Sequence, residues 1–481
     1  MRKGKRQVKA SYKDEILQWD LSRLSNAISE KQISPVEVTR QIIERISQVN
    51  PKINAYITVL AEQAVEDAEQ AEQEISNGNW RGPLHGIPLG VKDVIYTKNI
   101  NTTMGSQLFK DFVPDYNATV VEKLKQAGAT IIGKQNTHEF AYGPTGDRSH
   151  FGPVRNPYNL SKMTGGSSSG SAAAVASGLC YGALGTDTGG SVRIPASVCG
   201  IVGMKPTFGR VSKYGLYPTS WTLDHIGPLT RSVKDNAILL NALSGYDSQD
   251  YYSIKTDQED FTRLLGKGIK GSVIGIPSSF YFERVDSEVR NQVNHAIEVF
   301  KSLGAEIRPV DIPQLQEISL AHQMIVRCEA YAIHESTLTD TPELYDAEVK
   351  ERLLSGLTPI ALDYVKAIQM KQVAIHEFNQ ILEQVDIILI PTVPVLPPDI
   401  DQREVMVDGY PEHARSAMNR LNGPTNLNGF PSLQIPCGFS ASGMPIGVQL
   451  IGKQLDEANL YRFGYAFEQE AGIPTIKINI G

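Results

Sequence analysis

The chain has 481 residues, is 41% hydrophobic and 21% charged, and carries a formal net charge of −7, the profile of an ordinary soluble globular protein. That balance argues against a polyanion-binding surface, and no run approaches the ~18 apolar residues of a membrane span. Four cysteines (Cys180, Cys199, Cys328, Cys437) form no C-x-x-C pair and nine histidines show no H-E-x-x-H spacing, which speaks against a disulfide framework and a zinc hydrolase and fits a reducing cytoplasm.

In chain order, "MRKGKRQVKA" (1–10) is basic with no apolar stretch behind it, and reads as a flexible tail rather than a signal peptide. Ser34-Pro35-Val36-Glu37 combines an N-cap serine, proline at the first helical position and a capping-box glutamate. Val38, Ile42, Ile43, Ile46 and Val49 continue it at helical spacing up to Pro51. "AEQAVEDAEQAEQEIS" (61–76) predicts a second helix, and "GIPLGVKDVI" (86–95) and "ATIIGK" (129–134) predict strands. Residues 143–230 are rich in Gly, Ser, Thr and Ala, yet dotted with aliphatics, so they read as packed core, with "SAAAVASG" (171–178) as a buried helix. Farther on, "SVIGIP" (272–277) and "VDIILIP" (385–391) predict strands. A helix capped by Asp286 and stopped by Gly304 lies between them, and a hairpin turns at Ser442-Gly443. Helices interleaved with apolar strands predict an α/β fold.

The chemistry concentrates in the Gly/Ser-rich region. Gly166-Ser167-Ser168-Ser169-Gly170 matches the G-x-S-x-G nucleophile elbow, which would make Ser168 the serine of a Ser-His-Asp hydrolase. An elbow needs an apolar strand before the serine, and "NPYNLSKMTG" (156–165) is polar, so this reading is set second. At Thr188-Gly189-Gly190-Ser191 a serine follows two glycines. Successive backbone N–H groups there can converge beside its hydroxyl, as an oxyanion hole requires. The alternative is a glycine turn whose serine caps the next element. Lys92 sits inside an apolar strand-like run, where burial would keep it neutral; taken singly, it reads rather as a lysine that snorkels or pairs with Asp93.

Taken together, "GVKD" around Lys92, "GGSSSGSAAAVASG" (165–178), "ALGTDTGGSVRIPAS" (183–197) and "CGIVGMKPTFGRVS" (199–212) resemble the amidase signature family. "HEFAYGPTGDRSHFGPVRNP" (138–157) and the C-terminal "NGPTNLNGFPSLQIPCGF" extend the likeness. The resemblance implies one domain over 1–481 with a signature core at 85–240, built as a single large mixed β-sheet covered by helices on both faces. It implies a Ser-Ser-Lys triad: Ser191 the nucleophile, Ser167 the bridging serine after a cis peptide bond, Lys92 the base. Backbone N–H groups of Thr188, Gly189, Gly190 and Ser191 would form the oxyanion hole, with no metal and no organic cofactor. Asp187 and Arg193 would form a supporting ion pair, and Ser168 and Ser169 would make local hydrogen bonds. Ser171 would cap the small-residue helix.

Two roles occur in the family: amide hydrolases that act alone, and the amidase component of glutamyl-tRNA amidotransferase, which releases ammonia from glutamine and works with partner proteins. The "EFAYGPT" (139–145) and "AMNRLNGPTNLNGFP" (417–431) segments look more like the first. The expectation is therefore an amidase acting on a small-molecule amide, as a monomer or homodimer, with no nucleic acid or membrane partner; the amidotransferase role and an inactive scaffold are the alternatives. Glu139, Phe140, Tyr142 and the Thr102-Thr103-Met104 loop are expected near the acyl pocket, with Trp221 and His225 on the leaving-group side.

Overall fold

The computed structural model describes residues 15–472 and residue 480, so the basic tail at 1–10 lies outside the described residues. An eleven-stranded mixed sheet organises the chain. In spatial order its strands are Tyr56–Val59, Thr130–Gln135, Pro88–Lys92, Gly182–Asp187, His225–Thr230, Val202–Lys205, Ser432–Phe439, Pro445–Ile451, Ile387–Pro391, Val273–Pro277 and Glu306–Val310. Pro88–Lys92 runs parallel to both of its neighbours, and Val273–Pro277 is likewise parallel to both of its own. The strands between these two groups pair antiparallel. Every residue of Pro88–Lys92, Gly182–Asp187, Ile387–Pro391 and Pro445–Ile451 is buried. Successive side chains point to opposite faces, so unbroken burial means that both faces are covered.

Local signals place the flanking helices. Ser34 accepts the Glu37 N–H and caps Pro35–Ile53. That helix passes through Pro51 instead of ending before it. A proline in the last turn forfeits one hydrogen bond, and the left-handed Asn54 closes the helix. Ala61–Ser76 forms as predicted. Asp286 caps Ser287–Ser302, and the 442–443 turn joins the last two strands. The small-residue helix is Ser169–Ala176, which starts ahead of its sequence pattern, so Ser171 is not its cap. Ser171 lies inside it and donates to the Leu184 carbonyl at 3.0 Å, tying helix to sheet. The polar 156–165 stretch does hold a strand, Asn159–Met163, but it pairs with Arg155–Asn156 in a small ribbon and bridges to Asp399, outside the eleven-stranded sheet. It therefore does not supply the central strand an elbow needs. Leu315–Asp340 and Ala361–Leu382 pack against each other, and the first of them brings His322 and Val326 to the region around Ser191. No helix among the described residues is long and apolar enough to cross a membrane.

Candidate active site

Lys92 is the last residue of a buried strand, and its ammonium has nowhere to snorkel. Its Nζ donates to Ser167 Oγ and to Thr186 Oγ1, each at 2.7 Å. Burial lowers its pKa to about 7, against the pull of Asp187 and Asp224 in the other direction. Asp93, next in sequence, is not its partner: Asp93 faces Lys134 at 3.3 Å.

The Gly166–Ser167 peptide bond is cis. Ser168 is spent on the backbone of Thr186: its hydroxyl donates to the Thr186 carbonyl at 3.2 Å and accepts the Thr186 N–H at 3.1 Å. It has no histidine partner among the described residues, which removes the elbow reading. Ser168 N–H donates to the Ser191 carbonyl at 3.2 Å and joins the two serine segments. Among the described residues no hydrogen bond links the Ser167 and Ser191 side chains, so the expected contact of Ser167 with both partners is formed on the lysine side alone.

The turn at 187–193 is held from inside. Asp187 accepts Gly190 N–H at 2.7 Å and Val192 N–H at 3.1 Å, and pairs with Arg193 through Nε at 3.0 Å and Nη2 at 2.9 Å. Burial works against the Asp187 charge, but Arg193 outweighs it and holds the carboxyl well below its usual range. Arg193 also donates to Thr425, Gln449 and Asn426, so the C-terminal part of the chain grips the turn. Two glycines are needed for shape. Gly190 has φ +115°, and a Cβ on Gly189 would stand 2.9 Å from His322 Cε1. Gly190 departs from the expected oxyanion set, because its N–H is already given to Asp187. The N–H groups of Thr188, Gly189 and Ser191 make no internal hydrogen bond among the described residues.

Ser191, Thr188 and Gly189 line a small inner pocket of about 30 Å³ with Tyr142, His322, Arg352 and Asn419. His322 Nε2 lies 2.8 Å from the Thr188 carbonyl, an acceptor, so that nitrogen carries the proton. Burial brings the His322 pKa down to about 4 and keeps the ring neutral. Arg352 lies over the Tyr142 ring, 4.0 Å from its centroid, and donates to the Tyr142 carbonyl at 2.9 Å. The guanidinium has no ion-pair partner among the described residues, and the buried Tyr142 hydroxyl has no hydrogen-bond partner.

Of the pocket residues expected from sequence, only Tyr142 lines it. Glu139 is buried between loops, accepting from Ser106 Oγ at 2.7 Å and Asp346 N–H at 2.8 Å. Met104 is core, its backbone bonded to Asp93 and Phe140. Phe140 packs in an aromatic cluster with His334 and Tyr345. Trp221 is half exposed at the surface, and His225 is buried against Leu223 and Lys205. His322 and Arg352 escape sequence reasoning, since each belongs to a helix far along the chain with no motif around it, and Asn419 lies in the 417–431 segment without being singled out there. No group of three or more His, Cys, Asp or Glu among the described residues could hold a metal ion.

A family model named Amidase matches residues 37–461. The chain belongs to the amidase signature family. It is an amidase-type enzyme, acting on C–N bonds of linear amides. It is 40% identical over 480 residues to the A subunit of glutamyl-tRNA(Gln) amidotransferase from Geobacter sp. strain M21, covering 95% of this chain and 98% of that protein. The crystal structure of the Thermotoga maritima protein of that name superposes with a TM-score of 0.80 at 31% identity, covering 98% of this chain and all of the other. A bacterial aryl acylamidase of the amidase signature family superposes with a TM-score of 0.88 at 27% identity, covering 96% and 98%. These relatives correct the expected partner set. A chain working on a small-molecule amide without nucleic acid is not what likeness at 40% identity, to proteins named as one component of a tRNA enzyme, points to.

Proposed function

We propose that the chain is the amide-hydrolysing component of a tRNA amidotransferase and releases ammonia from glutamine. The observation that carries this reading is Arg352, a guanidinium in the pocket of Ser191 that has no carboxylate partner among the described residues. A glutamine with its side-chain carbonyl at Ser191 places an α-carboxylate beyond three intervening carbons, and a free guanidinium is the group suited to receive it. The likeness over nearly the whole chain to proteins named as the A subunit of that enzyme supports the same assignment. The sheet draws strands from residue 56 to residue 451, which supports treating 1–481 as one domain around the 85–240 core. Four unpaired cysteines support a place in the reducing cytoplasm.

In this mechanism neutral Lys92 accepts a proton from Ser167, which accepts one from Ser191. Ser191 Oγ attacks the amide carbon, and the N–H groups of Thr188, Gly189 and Ser191 donate to the oxyanion. The proton returns through Ser167 to the leaving nitrogen, and ammonia departs. Water then attacks the acyl-enzyme by the same relay, and glutamate leaves. The Ser167–Ser191 hydrogen bond closes as substrate binds, the usual behaviour of catalytic hydrogen bonds that are open in the free enzyme.

The test is ammonia release from glutamine by the purified chain, by itself and assembled with the remaining amidotransferase components, with and without glutamyl-tRNA. Glutamine hydrolysis that rises on assembly and feeds conversion of the charged tRNA is expected. Turnover of neutral amides, with none of glutamine in either setting, would overturn the reading.

A further inference from the structure

Past Arg352 the inner pocket opens into a vestibule of about 620 Å³. The two cavities share His322, Val326, Arg352 and Asn419, so whatever fills the vestibule stands in the approach to Ser191. Five arginines line it (Arg327, Arg352, Arg403, Arg415 and Arg420) against two glutamates, Glu348 and Glu351. Two of the arginines have carboxylate partners within the chain. Arg403 pairs with Glu348 at 2.7 Å and Asp147 at 2.9 Å. Arg420 lies 3.7 Å from Glu412 and donates to the Glu283 carbonyl at 3.1 Å. Glu348 is further engaged by Arg148, also at 2.7 Å, and Glu351 is exposed and pairs with none of the five.

That leaves three guanidinium groups facing a single cavity. Among the described residues Arg352 donates only to the Tyr142 carbonyl. The Arg327 and Arg415 guanidinium groups have neither ion pair nor hydrogen bond among the described residues. The three are near enough to oppose one another: burial first, then Arg415 and Arg327, draw the Arg352 pKa below its usual value. Like charges in a concave wall concentrate anions from solution. A single substrate carboxylate on Arg352 leaves Arg327 and Arg415 uncompensated. The volume falls within the roughly 300–1,000 Å³ of small-molecule sites.

We propose that the vestibule binds a small polyanion, a ligand with two or more carboxylate or phosphate groups, held by Arg327 and Arg415 in the approach to Ser191. The planar fork of arginine matches either group. The cations line a concavity rather than an open ridge, which favours a compact ligand over a nucleic-acid backbone. Because the cavity leads to Ser191, the bound anion obstructs acylation. The proposal is independent of which amide the enzyme hydrolyses.

Calorimetric titration of the full chain with pyrophosphate, and separately with citrate, in about 0.15 M salt tests it, since surface attraction is largely screened there. Saturable binding at one site per chain is expected for at least one anion, and which one binds tells phosphate from carboxylate ligands. Arg327→Gln combined with Arg415→Gln is expected to weaken it at least about tenfold with circular dichroism unchanged. Arg308→Gln, at an exposed arginine paired with Glu306, is expected to leave it intact. Saturating anion is also expected to slow labelling of Ser191 by a fluorophosphonate. Equal affinity of wild type and double variant overturns the proposal, as does absence of binding by both anions up to about 10 mM. A short RNA that binds through Arg327 and Arg415 while neither small anion does overturns it too.

Discussion

Lys92 and Lys134 lie on adjacent parallel strands, and both are wholly buried. Burial lowers both pKa values, to about 7 and about 8 respectively. Their partners differ. Lys134 meets the Asp93 carboxylate at 3.3 Å, the Ile95 carbonyl at 2.7 Å and the Thr102 hydroxyl at 2.6 Å. Among the described residues Lys92 meets two hydroxyls and no carboxylate in contact. A carboxylate and a carbonyl are acceptors that favour the charged ammonium, which makes Lys134 a strut between strand and loop. A hydroxyl can donate as well as accept, so Lys92 can lose its proton and take one back. Burial alone therefore does not distinguish a base from a brace; the donor capacity of the neighbours does.

The largest expected effect removes the proposed nucleophile. Ser191→Ala should lower amide turnover about 10⁶-fold, as loss of a serine nucleophile does elsewhere. A fluorophosphonate should label Ser191 in the wild type, and labelling of Ser168 would break the assignment.

Lys92→Met keeps the side-chain volume, and should cut amide turnover about 10²–10⁴-fold, the usual share of general acid–base catalysis. Activated esters should suffer less, because their leaving group needs no proton. In the wild type, a protonated Lys92 cannot accept from Ser167, so the rate should rise with pH through about 7 and then level. The limb belongs to the coupled relay. It should vanish in Lys92→Met; a rising limb that persists there would take Lys92 out of the relay.

Asp93→Asn should produce the opposite pattern. It strands the Lys134 charge in the core and should cost about 3–5 kcal/mol of stability, read as a lower denaturant midpoint. Turnover of the folded fraction should stay near wild type. If instead Asp93→Asn abolishes turnover at full stability, the two lysines do not divide the labour as described.

The smallest effect concerns recognition. Arg352→Gln should raise KM for glutamine about 10–100-fold, matching the roughly 1.5–3 kcal/mol of a charged hydrogen bond. A short neutral amide should be little affected. Equal losses on both substrates would make Arg352 a structural support for Tyr142 rather than a carboxylate receptor.

Much of the local structure is legible in the sequence. Ser34 caps its helix, 61–76 is helical to the residue, Asp286 caps another helix and Gly443 turns the last hairpin. These features depend on residues within a turn or two of each other, where φ/ψ preference and capping act. The order of Lys92, Ser167 and Ser191 is legible for a different reason: each sits in a stretch whose glycines, hydroxyls and small side chains resemble a family pattern.

The wall opposite Ser191 was decided by tertiary structure. Arg352 and His322 come from helices beyond residue 314 whose sequence neighbours give no sign of a pocket, and Asn419 comes from the end of another, in a family-like segment that does not single it out. Glu139, Met104 and Trp221 precede or follow signature residues, yet the chain turns them into loops, core and surface. The Gly190 N–H shows the same division in one bond. The Gly-Gly-Ser sequence permits the backbone to turn its donors inward. Whether a donor stays free depends on Asp187, which Arg193 and the 422–449 segment hold in place to accept it. Local sequence sets which conformations a turn can adopt, whereas a hydrogen bond also needs its partner's position, and that comes from packing between segments more than two hundred residues apart.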